Sequence, residues 1–366
     1  MDGELAALAA LNTLYASRAA VERLLREYGT LEAAWEEFPA RRDSSPLAAR
    51  MTPSVLEAGR KETEEAERRG VLMLPFWDPR YPRLLGAIAN PPPLLYVLGD
   101  AEALHGNCIA MVGSRTTSFY GRRAAAGLSA ALAERGYTVV SGLARGIDRE
   151  CHAAALDAGG KTVAVLGSGV LRVYPKENEQ LAEAVAANGA VVSEFPLRAK
   201  PVRFHFPRRN RVISGLSLAT VVVEAGRRSG ALITATWAAE QGREVFALPG
   251  PVDTGFSAGC HPLLREGARV VESVEDIEAD LSGLKALFAG AGDAAGATGE
   301  KAPVMLDRAG ARRKLLLEAM GYGGADIEKL EEQTGLPAET MLPLLMELEL
   351  EGIVARKAGG IYARRK

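Results

Sequence analysis

Between Arg198 and Ser217 the chain reads RAKPVRFHFPRRNRVISGLS, gathering five arginines, one lysine and His205 without a single Asp or Glu. The arginines interleave with Phe204, His205 and Phe206, the combination by which cations hold phosphates while unstacked bases lie on aromatic rings. Arg208 and Arg209 supply charge and Phe206 a stacking face, while Asn210 is either a donor to a base edge or a cap for the following turn. This is the chemistry of holding an anion.

Other stretches of similar chemistry follow apolar runs: GSRTTSFYG, SGLARGID, GSGVLRVYPKEN, EAGRRSGALITA and PGPVDTGFSAGCHPLLREGA. Glycines let a backbone approach a ligand closely; Ser114, Ser141, Ser229 and the N–H groups of helix starts are neutral donors suited to phosphate oxygens. Arg115, Arg145, Lys176, Arg227 and Arg228 add positive charge. Gly142, Gly146 and Gly167 also suit tight strand-to-helix corners, and Asp148 reads as the N-cap of the helix RECHAAALDAG. His152, four residues after Asp148, reads as a hydrogen-bonded structural residue, because two ligands alone make no metal site. No loop matches GxGxxG, and GxxxxGK[ST] is absent. Neither a metal nor a cofactor is expected.

Such loops need a frame that brings them together. From Asn107 to about Leu281 the runs CIAMVG, TVVSG, TVAVLG, AVVSE, ATVVVEAG, EVFALPG and ARVVES alternate with helical segments such as GRRAAAGLSAALAERG. Continuously apolar strands separated by helices predict an α/β, Rossmann-like doubly wound, mostly parallel sheet covered on both faces. In such a sheet ligands bind beyond the carboxyl ends of the strands. Every basic loop falls at that end, so a polyanion crossing several loops fits better than a single mononucleotide.

The rest of the chain divides around this frame. Residues 1–70 carry Leu5, Leu8 and Leu11, then Val21, Leu24 and Leu25, then Leu31, Ala34 and Trp35 at three- and four-residue steps, which predicts an all-helical module. It reads equally as a SAM-like or helix-hairpin-helix-like interaction domain and as a packing cap. The Pro-rich passage DPRYPRLLGAIANPPPLLYVLGD leads into a Rossmann-like domain spanning 71–288, and a Gly/Ala-rich stretch, 289–306, reads as a flexible linker. Residues 307–366 predict a winged helix: three helices, then a hairpin turning at Gly359-Gly360. Its third helix, AETMLPLLMELELEG, carries Glu339, Glu347, Glu349 and Glu351 without Lys or Arg. That charge opposes duplex phosphates and favours an auxiliary or protein-docking role.

Composition agrees with an ordinary globular protein. The chain has 366 residues, 48% hydrophobic and 25% charged, with formal charge −2, so affinity for nucleic acid must come from local clustering. Cys108, Cys151 and Cys260 are widely spaced, without a CxxC pair. The N-terminal MDGELAALAALNTLYAS has acids where a signal peptide has bases. A cytoplasmic protein with no membrane segment is the expectation.

Taken in order, GSRTTSFYG, SGLARGID, VLGSGVLRVYPKEN, SEFP, FPRRNRVISGLS, EAGRRSGALITA and ALPG closely resemble the DNA processing protein A family (DprA, also called Smf) from about Tyr81 to Ala268. The resemblance implies a single-stranded-DNA-binding protein that homodimerises through its Rossmann-like domain. It also implies protection of incoming DNA during natural transformation and loading of the RecA recombinase on it. By the same resemblance Arg115 and Lys176 are phosphate contacts, and Phe206, Arg209 and Asn210 hold backbone and bases; Ser114, Arg208, Arg227 and Ser229 complete the expected DNA site on an exposed strand-end rim. Ala231 stands where the family commonly has Ser, and His261 where it usually has Asn.

A rival from another class is a nucleotide phosphoribohydrolase of the lysine-decarboxylase-like group, which shares a related fold and carries a PGGxGTxxE motif. Here the corresponding strand end reads EAGRRSGALITATWAAEQG, with Glu224 and Glu240 but without the glycine pair and the spaced glutamate. No activated nucleophile or carboxylate pair at a defined spacing emerges, and a non-enzymatic role is expected.

Overall fold

The computed structural model describes residues 2–41, 45–289, 338–357 and 361–364, with scattered positions between 313 and 330. The expected linker therefore lies outside the described residues except for Ala289, and the Gly359-Gly360 turn lies outside them entirely.

Helices α1 (Asp2–Thr13), α2 (Arg18–Tyr28), α3 (Leu31–Glu37), α4 (Pro46–Arg50) and α5 (Pro53–Arg68) form the N-terminal module. Ser17, Thr30 and Ser45 cap α2, α3 and α4 by accepting from N–H groups inside the first turns, satisfying donors that otherwise have no partner. Leu8, Leu11, Leu24, Leu31 and Trp35 are buried in one cluster with Tyr96, Ala164, Val191 and Leu197 of the sheet domain. The module packs this apolar face against the sheet domain.

Strands β1 (Leu72–Pro75), β2 (Leu94–Gly99), β3 (Cys108–Gly113), β4 (Thr138–Ser141), β5 (Thr162–Val165), β6 (Ala190–Ser193), β7 (Ala219–Glu224), β8 (Glu244–Ala247) and β9 (Arg269–Val270) make one sheet in the order β1-β2-β6-β5-β4-β3-β7-β8-β9. The seven strands expected from the apolar runs pair in parallel. β1 and β2 add an antiparallel edge beside β6; β2 falls within the Pro-rich passage read as an entry segment, and β1 lies just before it. Strands β3 to β7 are buried along almost their whole length, as a sheet covered on both faces requires.

Helices α6 (Arg83–Gly86), α7 (Phe119–Glu134), α8 (Ile147–Asp157), α9 (Glu179–Asn188), α10 (His205–Leu216), α11 (Ala231–Glu240), α12 (Cys260–Arg265) and α13 (Val274–Ala289) complete this domain. In sequence β4, β5 and β6 step to one side of β3, and β7, β8 and β9 to the other. The order therefore reverses between β3 and β7, and a crevice is expected outside their carboxyl ends. In the tail, α14 (Ala338–Leu350) packs with β10 (Val354–Arg356), which pairs antiparallel with β11 (Tyr362–Arg364).

Candidate nucleic-acid interface

The loops after β3, β4 and β7 and the first turn of α10 enclose a crevice of about 600 Å³ at that reversal. Ser114, Arg115, Phe206, Arg209, Asn210 and Ser229 line it, together with Tyr174, Arg203 and Arg228. Its walls depend on close backbone approaches. Gly146 has φ +76°, and a Cβ there would press on the carbonyl oxygens of Ser114 and Arg115; Ile147 N–H donates to the same Ser114 oxygen at 3.2 Å. The loop after β4 is thereby locked to the loop after β3. Gly167 leaves room for the Phe206 ring, whose Cδ1 would lie 2.7 Å from a Cβ at that position.

At the mouth, exposed Arg115 sets its guanidinium carbon 5.3 Å from the centre of the Phe206 ring, a cation–π contact that offers charge and stacking side by side. Arg115, Lys176, Arg203, Arg227 and Arg228 are exposed and form no ion pair with any described carboxylate. Their charge is available to a ligand. Arg145 is different: Glu177 takes its guanidinium through two bonds of 2.7 Å.

Several sequence expectations need correction. Arg209 is not on an exposed rim; it is 4% exposed. Its Nη1 donates to Gly142 O at 2.8 Å and to Val165 O, and its Nε donates to Asn210 Oδ1 at 3.2 Å. Gly142 is glycine because a Cβ would meet this guanidinium at 2.6 Å. Burial pulls the Arg209 pKa down to about 10, against the opposing pull of Asp148, so it remains a cation at neutral pH. Asn210 is likewise buried, with Nδ2 donating to Gly230 O at 3.2 Å. Both line the crevice as part of its floor.

Arg208 does not line the crevice. Its Nε donates to Glu194 Oε2 at 3.0 Å, and the same oxygen accepts from fully buried Arg211 at 2.7 Å. Lys176 and Arg227 are exposed outside the lining. Ser141 is buried and donates to Met111 O at 2.6 Å, so it offers nothing to a phosphate. Asp148 is not the N-cap of α8, a position held by Gly146. It lies inside the first turn and accepts from Gly142 N at 3.2 Å and Ala144 N at 3.3 Å, fixing the loop after β4. Burial pushes its carboxyl up, opposed first by Arg209. His152 is the structural residue expected, its Nδ1 2.7 Å from Thr162 Oγ1. Sequence reasoning placed Arg228 in the basic edge without giving it a contact and left out Arg203 and Tyr174, although the density of Arg in its stretch was an available signal for Arg203.

With the crevice placed at the reversal and the FPRRN segment at its floor, comparison with known proteins decides the family. Residues 72–282 match the family model described as DNA recombination-mediator protein A, and residues 300–360 match the DprA winged helix domain. The chain belongs to the DprA family. Protein Smf of Escherichia coli K12 is 40% identical over 326 residues, spanning 87% of this chain and 86% of that protein. The solved structure of DprA from Streptococcus pneumoniae superposes with a TM-score of 0.64 at 34% identity, covering 76% of this chain and 97% of that one. DNA processing protein A from Helicobacter pylori, whose structure concerns its single-stranded DNA binding mode, superposes with a TM-score of 0.51 at 27% identity over 56% of this chain and 93% of that one. Of the two departures from the DprA pattern, Ala231 lines the crevice at the start of α11, whereas His261 places Nε2 3.1 Å from Gly250 O.

Proposed function

We propose that this protein binds single-stranded DNA across the crevice at the carboxyl ends of β3, β4 and β7, and acts as a recombination mediator without catalysis of its own. The observation that carries this reading is Arg115 lying over the Phe206 ring at the crevice mouth, with Arg203 and Arg228 beside it and without an ion pair among the described residues. Phosphates would be met by these guanidiniums, and a base by the Phe206 ring. The DNA processing protein A of H. pylori, studied for its single-stranded DNA binding mode, supports extending the same ligand to this chain. Shielding of the strand, loading of RecA and homodimerisation through the Rossmann-like domain are taken from the family.

The hydrolase alternative asks Glu224 to act on a nucleotide. That carboxylate is buried and accepts from Ser118 N–H at 2.8 Å and from the Ser118 hydroxyl, holding the start of α7. Burial also pushes the Cys108 and Cys151 thiols up to about 12, far from nucleophilic thiolates.

The test is a titration of labelled single-stranded and duplex oligonucleotides against the full-length protein at several salt concentrations. The single strand should bind more tightly, with log affinity falling linearly with log salt by about 0.7 for each phosphate held. Equal or tighter duplex binding, or release of free base from a nucleoside monophosphate, would overturn the proposal.

A further inference from the structure

The segment that delivers α10 to the crevice is held from outside the sheet domain. Asn12 Nδ2 of α1 donates to Glu194 O at 2.9 Å, and Glu62 of α5 accepts from Leu197 N–H at 2.5 Å. Glu65 pairs with Arg198 at 2.7 Å. The last contact reaches α10 itself: the Tyr15 hydroxyl lies 3.0 Å from His205 Nε2. The Tyr15 ring is 5.8 Å from that of His205, which is stacked on Phe195 at 3.8 Å, and Arg208 lies over the Tyr15 ring at 5.6 Å.

Tyr15 does this from a backbone conformation that a tyrosine rarely takes. Its φ is +58°, and the only other described non-glycine residue with positive φ is Leu143 at +54°, in the loop after β4. Glycine would occupy such a position without opposition from a Cβ. An unfavourable conformation persists where the surroundings over-determine it, and what surrounds the Tyr15 side chain is the first turn of α10. His205 opens that helix; Phe206 follows it, and Arg209 lies one turn further on.

We propose that Tyr15 is a positioning residue for the nucleic-acid crevice: from the helical module it fixes His205 and Arg208, and through them the orientation in which α10 presents Phe206. This rests on the reading of the crevice as the single-strand site. Tyr15 touches no ligand. Its effect passes through the helix start, which gives the helical module a part in binding although it does not line the crevice.

The experiment compares full-length wild type, Tyr15→Gly and Tyr15→Phe in titrations with labelled oligo-dT across a salt series, alongside thermal melting and hydrogen exchange of residues 205–210 without DNA. Tyr15→Gly relieves the backbone while deleting the side chain, so the fold should be retained. Its affinity should fall about two- to tenfold, the range for one lost hydrogen bond with its ring contacts. The salt dependence should stay unchanged because no phosphate contact is removed. Exchange at the start of α10 should quicken. Tyr15→Phe keeps the ring and should recover part of the affinity, and exchange quickened at 205–210 but not across the rest of the sheet domain separates a local effect from general destabilisation. Wild-type affinity and wild-type exchange in Tyr15→Gly would overturn the proposal alone. Failure of the wild type to bind oligo-dT would instead overturn the crevice reading, and quickened exchange would still report that Tyr15 orders α10.

Discussion

Replacing Arg209 with alanine separates a structural arginine from a ligand-binding one. The guanidinium gives charged hydrogen bonds to the carbonyls of Gly142 and Val165 and a further bond to Asn210, and it is the charge that most opposes the upward push on the buried Asp148 carboxyl. Hydrogen bonds with one charged partner contribute about 1.5–3 kcal/mol each, and a buried charge stripped of its partner costs about 3–5 kcal/mol. Part of that is recovered because the arginine no longer has to be desolvated, so a net loss of about 3 kcal/mol is expected. For a domain of this size that is a fall in melting temperature of roughly 6–12 °C. Arg115→Ala is the control: exposed, without a described carboxylate partner and touching only the Phe206 ring face, its removal should change stability by no more than about 1 kcal/mol while lowering the log–log salt slope of single-strand binding by about 0.7. Arg209→Lys should fall between, since lysine keeps a charge near Asp148 but lacks the fork that reaches two carbonyls and an amide at once. The measurements are thermal melting and a salt-series titration on the same preparations. If Arg209→Ala melted within about 2 °C of wild type and lost one phosphate's worth of slope, the arginine would be a rim contact and the reasoning from its burial would fail.

Phe206→Ala should weaken single-strand binding by about 1–3 kcal/mol for each base stacked with an unchanged salt slope, and Gly167→Ala should produce a milder version by displacing the same ring; fluorescence titrations decide both. Gly146→Ala should lower the melting temperature by several degrees and weaken binding together, because a Cβ at φ +76° costs about 1–2 kcal/mol and presses on the Ser114 and Arg115 carbonyls; melting and affinity that stayed at wild-type values would refute the locking of the two loops. His152 is held neutral by burial, its pKa pulled down to about 3. Its unfolded counterpart takes a proton near pH 6.5, so stability should decline as pH falls from about 6.5 towards about 3 and this contribution should then level off. An NMR titration of the imidazole showing protonation near pH 6 in the folded protein would contradict this.

The frame was legible because the strands from β3 to β7 are short, mostly apolar runs and each crossover up to β9 is a helix, a pattern that admits few topologies. Once the sheet is parallel, the loops that can meet a ligand follow from chain direction alone, which is why Ser114, Arg115, Phe206 and Ser229 were found together. β1 and β2 were missed because the prolines around them resemble punctuation, and Tyr96 and Val97, buried between β1 and β6, give no alternation to count.

The arginines were misjudged for a different reason, and it limits any reading of charge along a chain. The stretch from Arg198 to Ser217 contains no acid, yet Arg198, Arg208 and Arg211 are all paired in the fold, the first with Glu65 of the helical module and the other two with Glu194 at the end of β6. Arg209 finds carbonyls from the loop after β4 and from the last residue of β5. A doubly wound sheet brings strand ends from distant parts of the sequence to one edge, and the acids and carbonyls that neutralise a basic helix arrive with them. Arg203 is the exposed arginine of that stretch that lines the crevice without a described carboxylate partner. The positive potential of the site therefore depends less on the arginine-rich helix than on Arg115, Arg203 and Arg228 around it, and α10 contributes chiefly its ring, its floor and the position in which Tyr15 holds its first turn.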